Sequence, residues 1–220
     1  MSADPRLIRL LEHPAIWRGR SAARMDAVST GFSALDASLP GNGWPRVGLV
    51  EVLIPRLGVG EIALLLPALA RLSSGPAARW CSWIAPPFEP FAPALSVHGV
   101  TLERVLVVRA ATPLWACEQA LRSGACDVAL AWIRRGDPRR FRRLQLATEQ
   151  GRTLGFIFRT LSARALSESS CAALRISVEA LAAKGGAEGG AGSGMRVTLL
   201  KSRGGLRGSI DLALNAEAGS

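Results

Sequence analysis

Residues 47–62, Val47-Gly-Leu-Val-Glu-Val-Leu-Ile-Pro-Arg-Leu-Gly-Val-Gly-Glu-Ile62, join an apolar run to a loop that contains glycine. The run Val47–Ile54 predicts a buried strand, because apolar residues occupy almost every position. The apolar spacing of Glu61–Ser73 then predicts a helix. A buried strand that enters a helix through such a loop is typical of an α/β fold with a parallel sheet.

Strands and helices continue to alternate after this stretch. The predicted strands are 80–85, 104–109, 127–133 and 153–158, and the predicted helices are 88–97, 113–122 and 138–150. The strands, including Arg104–Arg109, are expected to be buried, because they are continuous apolar runs. Continuous apolar strands separated by helices indicate a parallel sheet that is covered on both faces.

The C-terminal third has a different pattern. Ala173–Leu181, Met195–Lys201 and Ser209–Leu214 alternate apolar and polar residues, with no helix between them. This pattern predicts antiparallel strands that extend the sheet. The expected fold class is therefore α/β, with a mostly parallel sheet flanked by helices and antiparallel C-terminal strands.

Residues 1–25 are predicted to form an N-terminal helix and linker, followed by a core that spans residues 26–220. The segment Asp4–His13 begins with Asp-Pro and ends before Pro14, which are typical start and stop signals of a helix. Its apolar stripe consists of Leu7, Ile8, Leu10 and Leu11. We expect the stripe to mediate a protein contact, either self-association or binding of a partner.

The composition indicates one globular unit in the cytoplasm. The chain has 220 residues, of which 49% are hydrophobic, and this is enough for one sizeable core. No stretch long enough to span a bilayer is free of charged residues, and no secretory signal is visible at the start. We therefore expect no contact with a membrane.

The residues that usually bind metals are few and scattered. The chain has four cysteines and two histidines, with no C-x-x-C pair. Zinc sites need clustered ligands, so we expect no metal site and buried reduced thiols. Neither histidine lies near a nucleophile elbow, and both are expected to be surface residues.

The charge is strongly basic. Lys and Arg number 27 against 17 Asp and Glu, a net charge of +10. Such an excess suggests an anionic partner, commonly nucleic acid. Arginine supplies almost all of it, which GC-rich coding would also produce, so both explanations remain open.

The loop after the first strand departs from the phosphate-loop pattern G-x-x-x-x-G-K-[ST]. Counted from Gly60, Pro55 replaces the leading glycine, Glu61 the lysine and Ile62 the hydroxyl residue, although Gly58 adds a further glycine. Two unit charges about 4 Å apart interact by roughly 4 kcal/mol at an effective dielectric constant near 20. A glutamate in place of lysine turns that attraction to phosphate into repulsion, so we expect no nucleotide cofactor.

The other parts of an ATPase site are also missing. Trp132 stands at the end of strand 127–133, where an Asp would hold the metal ion of a Walker B segment. After strand 80–85, Ala85-Pro-Pro-Phe88 replaces a catalytic carboxylate, and Glu89 is expected to be solvated. We therefore expect a protein without enzyme activity.

Several segments resemble the RecA core, over about residues 28–215. Val28-Ser-Thr-Gly-Phe-Ser-Ala-Leu-Asp36 and Gly41-Asn-Gly-Trp-Pro-Arg46 resemble the entry to its phosphate loop, and Gln119–Val128 its Walker B entry. Met195-Arg-Val-Thr-Leu-Leu-Lys-Ser-Arg203 resembles a strand whose basic residues reach a neighbouring subunit. The resemblance implies a RecA-like fold with a degenerate nucleotide site and Lys201 and Arg203 at a subunit interface.

Within this superfamily the chain most closely resembles the ImuA family, whose members are often described as similar to the division inhibitor SulA. The segments that carry this resemblance are His13–Gly19, Gly58–Leu69, Trp83–Phe88 and Phe91–Leu95. It implies a non-catalytic accessory role in damage-induced translesion synthesis, within the SOS response. The implied partners are an ImuB-like protein and a DnaE-type error-prone polymerase, together with RecA or DNA near the nucleoid.

A basic cluster lies where RecA has its first DNA-binding loop. It consists of Arg134, Arg135, Arg139, Arg140, Arg142 and Arg143, with Phe141 available for stacking. Cations oppose the dipole at a helix N-terminus, so the cluster suggests binding of DNA without sequence preference or of an acidic protein. Ion pairs with Glu149 or with other segments are the structural alternative.

Three other functions were weighed against translesion synthesis. One is a SulA-like inhibitor that binds a cell-division protein, and the second is a RecA-related DNA-binding regulator. The third, an active recombinase ATPase, is opposed by the residues at Pro55, Glu61, Ile62 and Trp132.

Overall fold

The structure is a computed structural model that describes residues 26–133, 138–181, 194–202 and 207–213. The predicted N-terminal helix and the proposed boundary at residue 25 lie outside these residues, as do Arg134, Arg135 and Arg203. The described strands are β1 Ala27–Val28, β2 Trp44–Pro45, β3 Gly48–Ile54, β4 Trp80–Ile84, β5 Val105–Val108, β6 Cys126–Trp132, β7 Leu154–Thr160, β8 Leu174–Leu181, β9 Gly194–Ser202 and β10 Gly208–Ala213. The described helices are α1 Ser33–Asp36, α2 Leu66–Ser73, α3 Ala92–Val97, α4 Pro113–Arg122, α5 Pro138–Gly151 and α6 Ala163–Ser167, with a 3₁₀ turn at Leu102–Arg104.

The main sheet of the described chain has eight strands in the order β10-β9-β8-β3-β7-β6-β4-β5. The six strands from β8 to β5 are parallel to their neighbours, while β9 and β10 pair antiparallel. Strands β1 and β2 form a separate antiparallel pair. The predicted α/β class, with a large mixed sheet flanked by helices, is confirmed.

Strand β3 is buried on both faces, as its continuous apolar run predicts. Val50, Val52 and Ile54 belong to the core cluster that includes helix α2. Leu49 belongs to the second cluster, which it shares with α4 and α5. Helices therefore cover both faces of the sheet, and β3 lies between them at its centre.

Two strand predictions were wrong in part. Strand β5 was expected to be buried, yet it forms the outer edge of the sheet, and Leu106 is exposed. Continuous apolarity does not distinguish an edge strand from a central one, because only pairing decides that. Strand β8 was expected to be antiparallel, but it pairs parallel with β3 and antiparallel with β9.

Two helices begin later than predicted. Helix α2 begins at Leu66 rather than Glu61, and Pro67 lies in its first turn. Helix α3 begins at Ala92 rather than Phe88, with Pro93 in its first turn. Proline lacks a backbone N–H and suits the first helical turn, so each of these prolines marks the start of its helix.

The amino end of β6 is held by a buried carboxylate. Asp127 accepts hydrogen bonds from Arg46 Nη2 at 2.7 Å, from the Arg79 backbone N–H at 2.7 Å and from Arg79 Nε at 3.1 Å. Arg79 also donates to the carbonyls of Gly124 and Gly151, at 2.8 and 3.1 Å. These contacts join loops at the amino ends of the strands and leave the carboxyl ends for other roles.

Candidate functional site

The loops that follow β3, β4, β5 and β6 all leave the same edge of the sheet, because these strands are parallel. In open α/β sheets, ligands bind in the crevice outside the carboxyl ends of the strands. This edge, which we call the carboxyl edge, is therefore the candidate functional site.

The loop after β3 contains its own anion. Glu61 is 5% exposed, and its Oε1 accepts a hydrogen bond from Gly58 N–H at 3.0 Å. Its Oε2 accepts a second from Val59 N–H at 2.9 Å. These are backbone donors of the kind that a phosphate loop offers to phosphate. The sequence predicted that Glu61 would repel an anion, and the structure shows in addition that its carboxylate is bonded to two amides of its own loop.

The rest of the loop supports this arrangement. Gly58 and Gly60 have φ values of 81° and 96°, in the left-handed region that favours glycine. Ile62 packs partly buried against the core, whereas Pro55 is exposed. Residues 61–65 form turns before α2 begins.

Trp132 lies in an aromatic cluster at the carboxyl edge. Its ring stacks on Phe158 at a centroid distance of 4.8 Å, and Trp83 lies 5.7 Å away. These residues come from the ends of β6, β7 and β4 and share a core cluster with Val59 of the loop. Aromatic rings thus pack together at the ends of three neighbouring strands. Sequence reasoning missed Trp83 and Phe158, although aromatics at successive strand ends are a usable signal.

The indole nitrogens of this cluster are buried. Among the described residues, neither Trp83 Nε1 nor Trp132 Nε1 has a hydrogen-bond partner. A buried tryptophan usually finds a partner for its N–H group. The aromatic cluster therefore fills the edge by packing rather than by polar contacts.

Large apolar side chains are exposed around the same edge. Phe88 and Phe91, in the loop after β4, are 72% and 70% exposed, and Trp115 in the first turn of α4 is 62% exposed. Leu57 in the loop after β3 is 41% exposed. Glu89 is also exposed, as predicted, and pairs with Arg109, which ties the loop after β4 to the one after β5. Exposed aromatics gathered at one edge indicate a protein interface.

A buried ionic network lies on the face of the sheet opposite the aromatic cluster, and the sequence reasoning missed it. Arg159 Nη1 lies 2.5 Å from Glu51 Oε1, and Arg159 Nη2 lies 2.9 Å from Glu168 Oε2. Arg175 Nε lies 2.9 Å from Glu51 Oε2 without hydrogen-bond geometry, and its Nη1 donates to the Glu168 carbonyl at 3.0 Å. The network ties β3, β7 and β8 to the segment around Glu168.

Protonation within the network follows from these pairs. Burial lowers the pKa of Arg159, but the hydrogen bonds to Glu168 and Glu51 outweigh burial and raise it overall. The hydrogen bond from Arg159, followed by that from Arg164, lowers the pKa of Glu168. Arg159 and Glu168 are therefore both charged at neutral pH.

The described members of the basic cluster lie on α5, and all four are exposed. Arg143 Nη2 is 2.8 Å from Glu118 Oε2, and Glu118 also pairs with Arg122 at 2.6 Å. The proposed ion pair with Glu149 is not formed by Arg143, and Glu149 accepts instead from Gln145 at 3.0 Å. Arg139, Arg140 and Arg142 also project from the helix as exposed side chains. An anionic ligand of this surface stays a prediction.

Phe141 was expected to be available for stacking on bases, and this was wrong. The residue is 8% exposed, and the Arg159 guanidinium lies over its ring at 4.7 Å from the centroid. The helical periodicity of α5 turns Phe141 toward the sheet, between arginines that face outward. This surface therefore offers charge without an aromatic platform.

Lys201 is engaged within its own chain. Its Nζ donates to the carbonyls of Ser170 and Ala172, the latter at 3.0 Å. Arg203, its partner in the proposed interface pair, lies outside the described residues. The subunit interface that the RecA resemblance implies thus stays a prediction.

The cysteines and the described histidine lie apart from the carboxyl-edge loops. All four thiols are free, and three are buried as predicted, whereas Cys171 is only partly buried. Burial is the main cause that raises the pKa of Cys81 and of Cys117 to about 12. His98 is exposed, as predicted, and its Nδ1 lies 2.8 Å from the Ala94 carbonyl. In the part of the chain that the structure describes, no group of three or more His, Cys, Asp or Glu side chains is placed to bind a metal ion.

The fold and the carboxyl edge together define a class: an α/β domain whose loop after β3 is bonded to its own glutamate and whose edge exposes aromatic residues. Comparison with known proteins then gives the family. The family model described as "Cell division inhibitor SulA" matches residues 57–155, from the loop after β3 into β7. The match includes Glu61, both tryptophans of the cluster and the exposed aromatics of the edge.

Curated relatives carry the same name. The chain is 32% identical over 133 residues to "Cell division inhibitor SulA" of Yersinia enterocolitica, covering 59% of this chain and 78% of that protein. It is 35% identical over 120 residues to SulA of Edwardsiella piscicida, covering 51% of this chain and 68% of that protein. The chain belongs to the SulA family.

A solved structure is similar as well. The crystal structure of SulA from Pseudomonas aeruginosa is 27% identical and covers 51% of this chain and 98% of that chain, with a TM-score of 0.43. In the described part of the chain, no helix has the length and apolar character needed to cross a membrane.

These relatives correct the main functional prediction. Translesion synthesis with an ImuB-like protein and a DnaE-type polymerase was the leading interpretation, and it was wrong. The relatives are named as inhibitors of cell division, which was the stated alternative. The error arose because the segments that carried the ImuA resemblance at 58–69 and 83–88 lie within the stretch that matches SulA.

Proposed function

We propose that this protein is a SulA-type inhibitor of cell division that acts by binding a division protein, without catalysis. The observation that carries the proposal is the carboxyl edge. Its nucleotide-type loop is filled by Glu61, its strand ends are filled by aromatic rings, and its outer surface exposes apolar side chains. An edge of this kind offers no room for phosphate chemistry and a surface suited to a protein partner.

Exposed aromatic residues are the natural contacts of such an interface. Aromatic side chains dominate the energetics of protein interfaces, because each removes a large apolar area from water at low entropic cost. Phe88 and Phe91 are the most exposed phenylalanines of the edge, and Trp115 lies in the helix that follows β5. We assign the division protein to this surface.

The RecA-like ancestry is proposed on the residues that resemble the entry to its phosphate loop and on the parallel order of the sheet. Self-association through the N-terminal segment and the Lys201–Arg203 contact also remain proposals. The ImuA resemblance stays an interpretation of ancestry, and a translesion role is not proposed.

Controlled expression in growing bacteria tests the function. We expect the unmodified chain to block septation, so that cell length increases several-fold, and we expect the division protein to co-purify with it. The variant Phe88→Ser/Phe91→Ser should lose both effects while its thermal unfolding is unchanged. Val97→Ser/Leu146→Ser, which replaces two exposed apolar residues away from the edge loops, is the matched control and should behave as the unmodified chain.

Two outcomes would contradict the proposal. Cells of normal length in the presence of soluble, folded protein would overturn inhibition of division. Normal activity of the Phe88→Ser/Phe91→Ser variant would instead move the interface away from the carboxyl edge.

A further inference from the structure

The loop after β3 contains a complete anion contact made by the chain itself. Each carboxylate oxygen of Glu61 accepts one backbone hydrogen bond, from Gly58 at 3.0 Å and from Val59 at 2.9 Å. The carboxylate is almost fully buried, and among the described residues no cation is paired with it by an ion pair. Within the described residues, these two backbone amides are the hydrogen-bond donors to the buried carboxylate.

The contact lies ahead of α2, which begins only at Leu66. Residues 61–65 form turns with hydrogen bonds from Leu64 N–H to the Gly60 carbonyl and from Leu66 N–H to the Ile62 carbonyl, and the donors to Glu61 precede these turns. Positive φ values at Gly58 and Gly60 give the loop a shape that other residues adopt with strain. No atom lies within 4 Å of the place where a Cβ on Gly58 would stand, so conformation and not space requires glycine there.

We infer that Glu61 is a resident anion: the loop keeps a cradle for an oxyanion, and the chain fills that cradle with its own carboxylate. The class of ligand that the empty cradle would take is a small oxyanion, such as formate, acetate or inorganic phosphate. The carboxylate holds the loop in its bound form at all times, so the shape of the carboxyl edge needs no nucleotide. The inference shares the Glu61 contact with the proposed function, but its test involves no division protein.

Removal of the side chain should empty the cradle. The test measures thermal unfolding of the unmodified chain, Glu61→Ala, Glu61→Gln and the control Glu103→Ala in rising formate, with chloride at equal ionic strength as the reference. Glu103 is an exposed glutamate outside the loop. We expect Glu61→Ala to unfold roughly 5 °C lower, a scale consistent with lost hydrogen bonds to a charged group in a chain of this size.

The response to formate decides the result. Formate should raise the unfolding temperature of Glu61→Ala in a saturable way, and phosphate should act in the same direction. Glu61→Gln should be destabilised without rescue, because its amide still fills the cradle. The unmodified chain and Glu103→Ala should respond to formate no more than to chloride. An equal response of Glu61→Ala and Glu103→Ala would overturn the inference.

Hydrogen exchange in the unmodified chain provides a test that needs no variant to fold. The amides of Gly58 and Val59 should exchange at least tenfold more slowly than their sequence predicts for an open loop, because both are bonded to the carboxylate. Exchange at the rate of an unstructured chain at both amides would show that the contact does not persist, and would overturn the inference even if Glu61→Ala does not fold.

Discussion

Glu51 and Arg159 lie on the neighbouring parallel strands β3 and β7, with Arg159 Nη1 2.5 Å from Glu51 Oε1 and both side chains almost fully buried. Arg175 on the other neighbour of β3 lies against the second oxygen of the same carboxylate. One glutamate therefore compensates two buried guanidinium groups, with Glu168 as the second acid of the network.

Removal of that carboxylate should destabilise the fold strongly. Breaking a buried pair leaves an uncompensated buried charge and costs about 3–5 kcal/mol. We expect Glu51→Gln to lower the free energy of unfolding by an amount in this range, measured by urea denaturation. Arg196→Gln breaks a pair with Asp211 whose partners are half-exposed, and it should change stability little. Equal effects of the two substitutions would contradict the structural role of the network.

The loss of folding stability at low pH should depend on Asp127. Burial raises the pKa of this carboxyl, but the hydrogen bonds from the Arg79 N–H and from Arg46 outweigh burial and lower it overall. A carboxyl group whose pKa is lower in the folded state than in the unfolded state stabilises the fold above its unfolded pKa, which is about 3.9. This stabilisation is lost as the pH falls through the folded pKa. Asp127→Asn should therefore reduce stability at pH 7 and flatten its decline below about pH 4, measured by urea denaturation across pH. If the decline of stability at low pH is the same in Asp127→Asn as in the unmodified chain, other carboxyl groups cause that decline.

Nucleotide should have no effect on the protein. The Glu61 carboxylate accepts hydrogen bonds from the amides of Gly58 and Val59, and aromatic rings pack at the ends of the neighbouring strands. We expect neither ATP hydrolysis nor a rise in unfolding temperature with Mg-ATP. Binding would stabilise the fold by about 2.7 kcal/mol at a hundredfold excess over the dissociation constant, which a thermal shift detects. A reproducible shift would contradict the filled-site interpretation.

Binding to anionic polymers should be electrostatic and independent of sequence. Four exposed arginines lie at the start of α5, but Arg143 is paired with Glu118 and Phe141 is buried. Each phosphate contact on single-stranded DNA contributes about −0.7 to the slope of the logarithm of the binding constant against the logarithm of the salt concentration. Neutralising Arg139, Arg140, Arg142 and Arg143 to Gln should flatten the slope by about 2. Arg71→Gln/Arg152→Gln/Arg196→Gln/Arg207→Gln removes the same number of charges from exposed positions outside α5 and is the control for net charge.

The same variants separate nucleic acid from protein recognition. If the quadruple substitution leaves DNA affinity and salt slope unchanged but weakens capture of the division protein, the arginines contact an acidic protein surface. If neither interaction changes, the α5 surface has no role as a binding site.

Much of the fold was accessible from local patterns. The run Val47–Ile54, the later apolar strands and the intervening helical segments predicted an α/β sheet, and prolines 67 and 93 mark where two helices begin. Local patterns failed where pairing decides the outcome. The edge position of β5 and the parallel pairing of β8 with β3 depend on strands far away in the chain, which no window of sequence contains.

The loop after β3 shows the same contrast between what the local sequence determines and what the tertiary structure determines. Its sequence alone determined that Pro55, Glu61 and Ile62 do not fit a phosphate loop, because residue type decides charge and hydrogen-bonding capacity. Only the tertiary structure showed that the Glu61 carboxylate turns back onto the amides of Gly58 and Val59, since that contact depends on backbone φ values and on the late start of α2. Likewise, the sequence determined a basic chain with an apolar core. Folding decided that Trp83, Trp132 and Phe158 meet at one edge and that Glu51 compensates two arginines, because side chains distant in sequence become neighbours only when parallel strands pair.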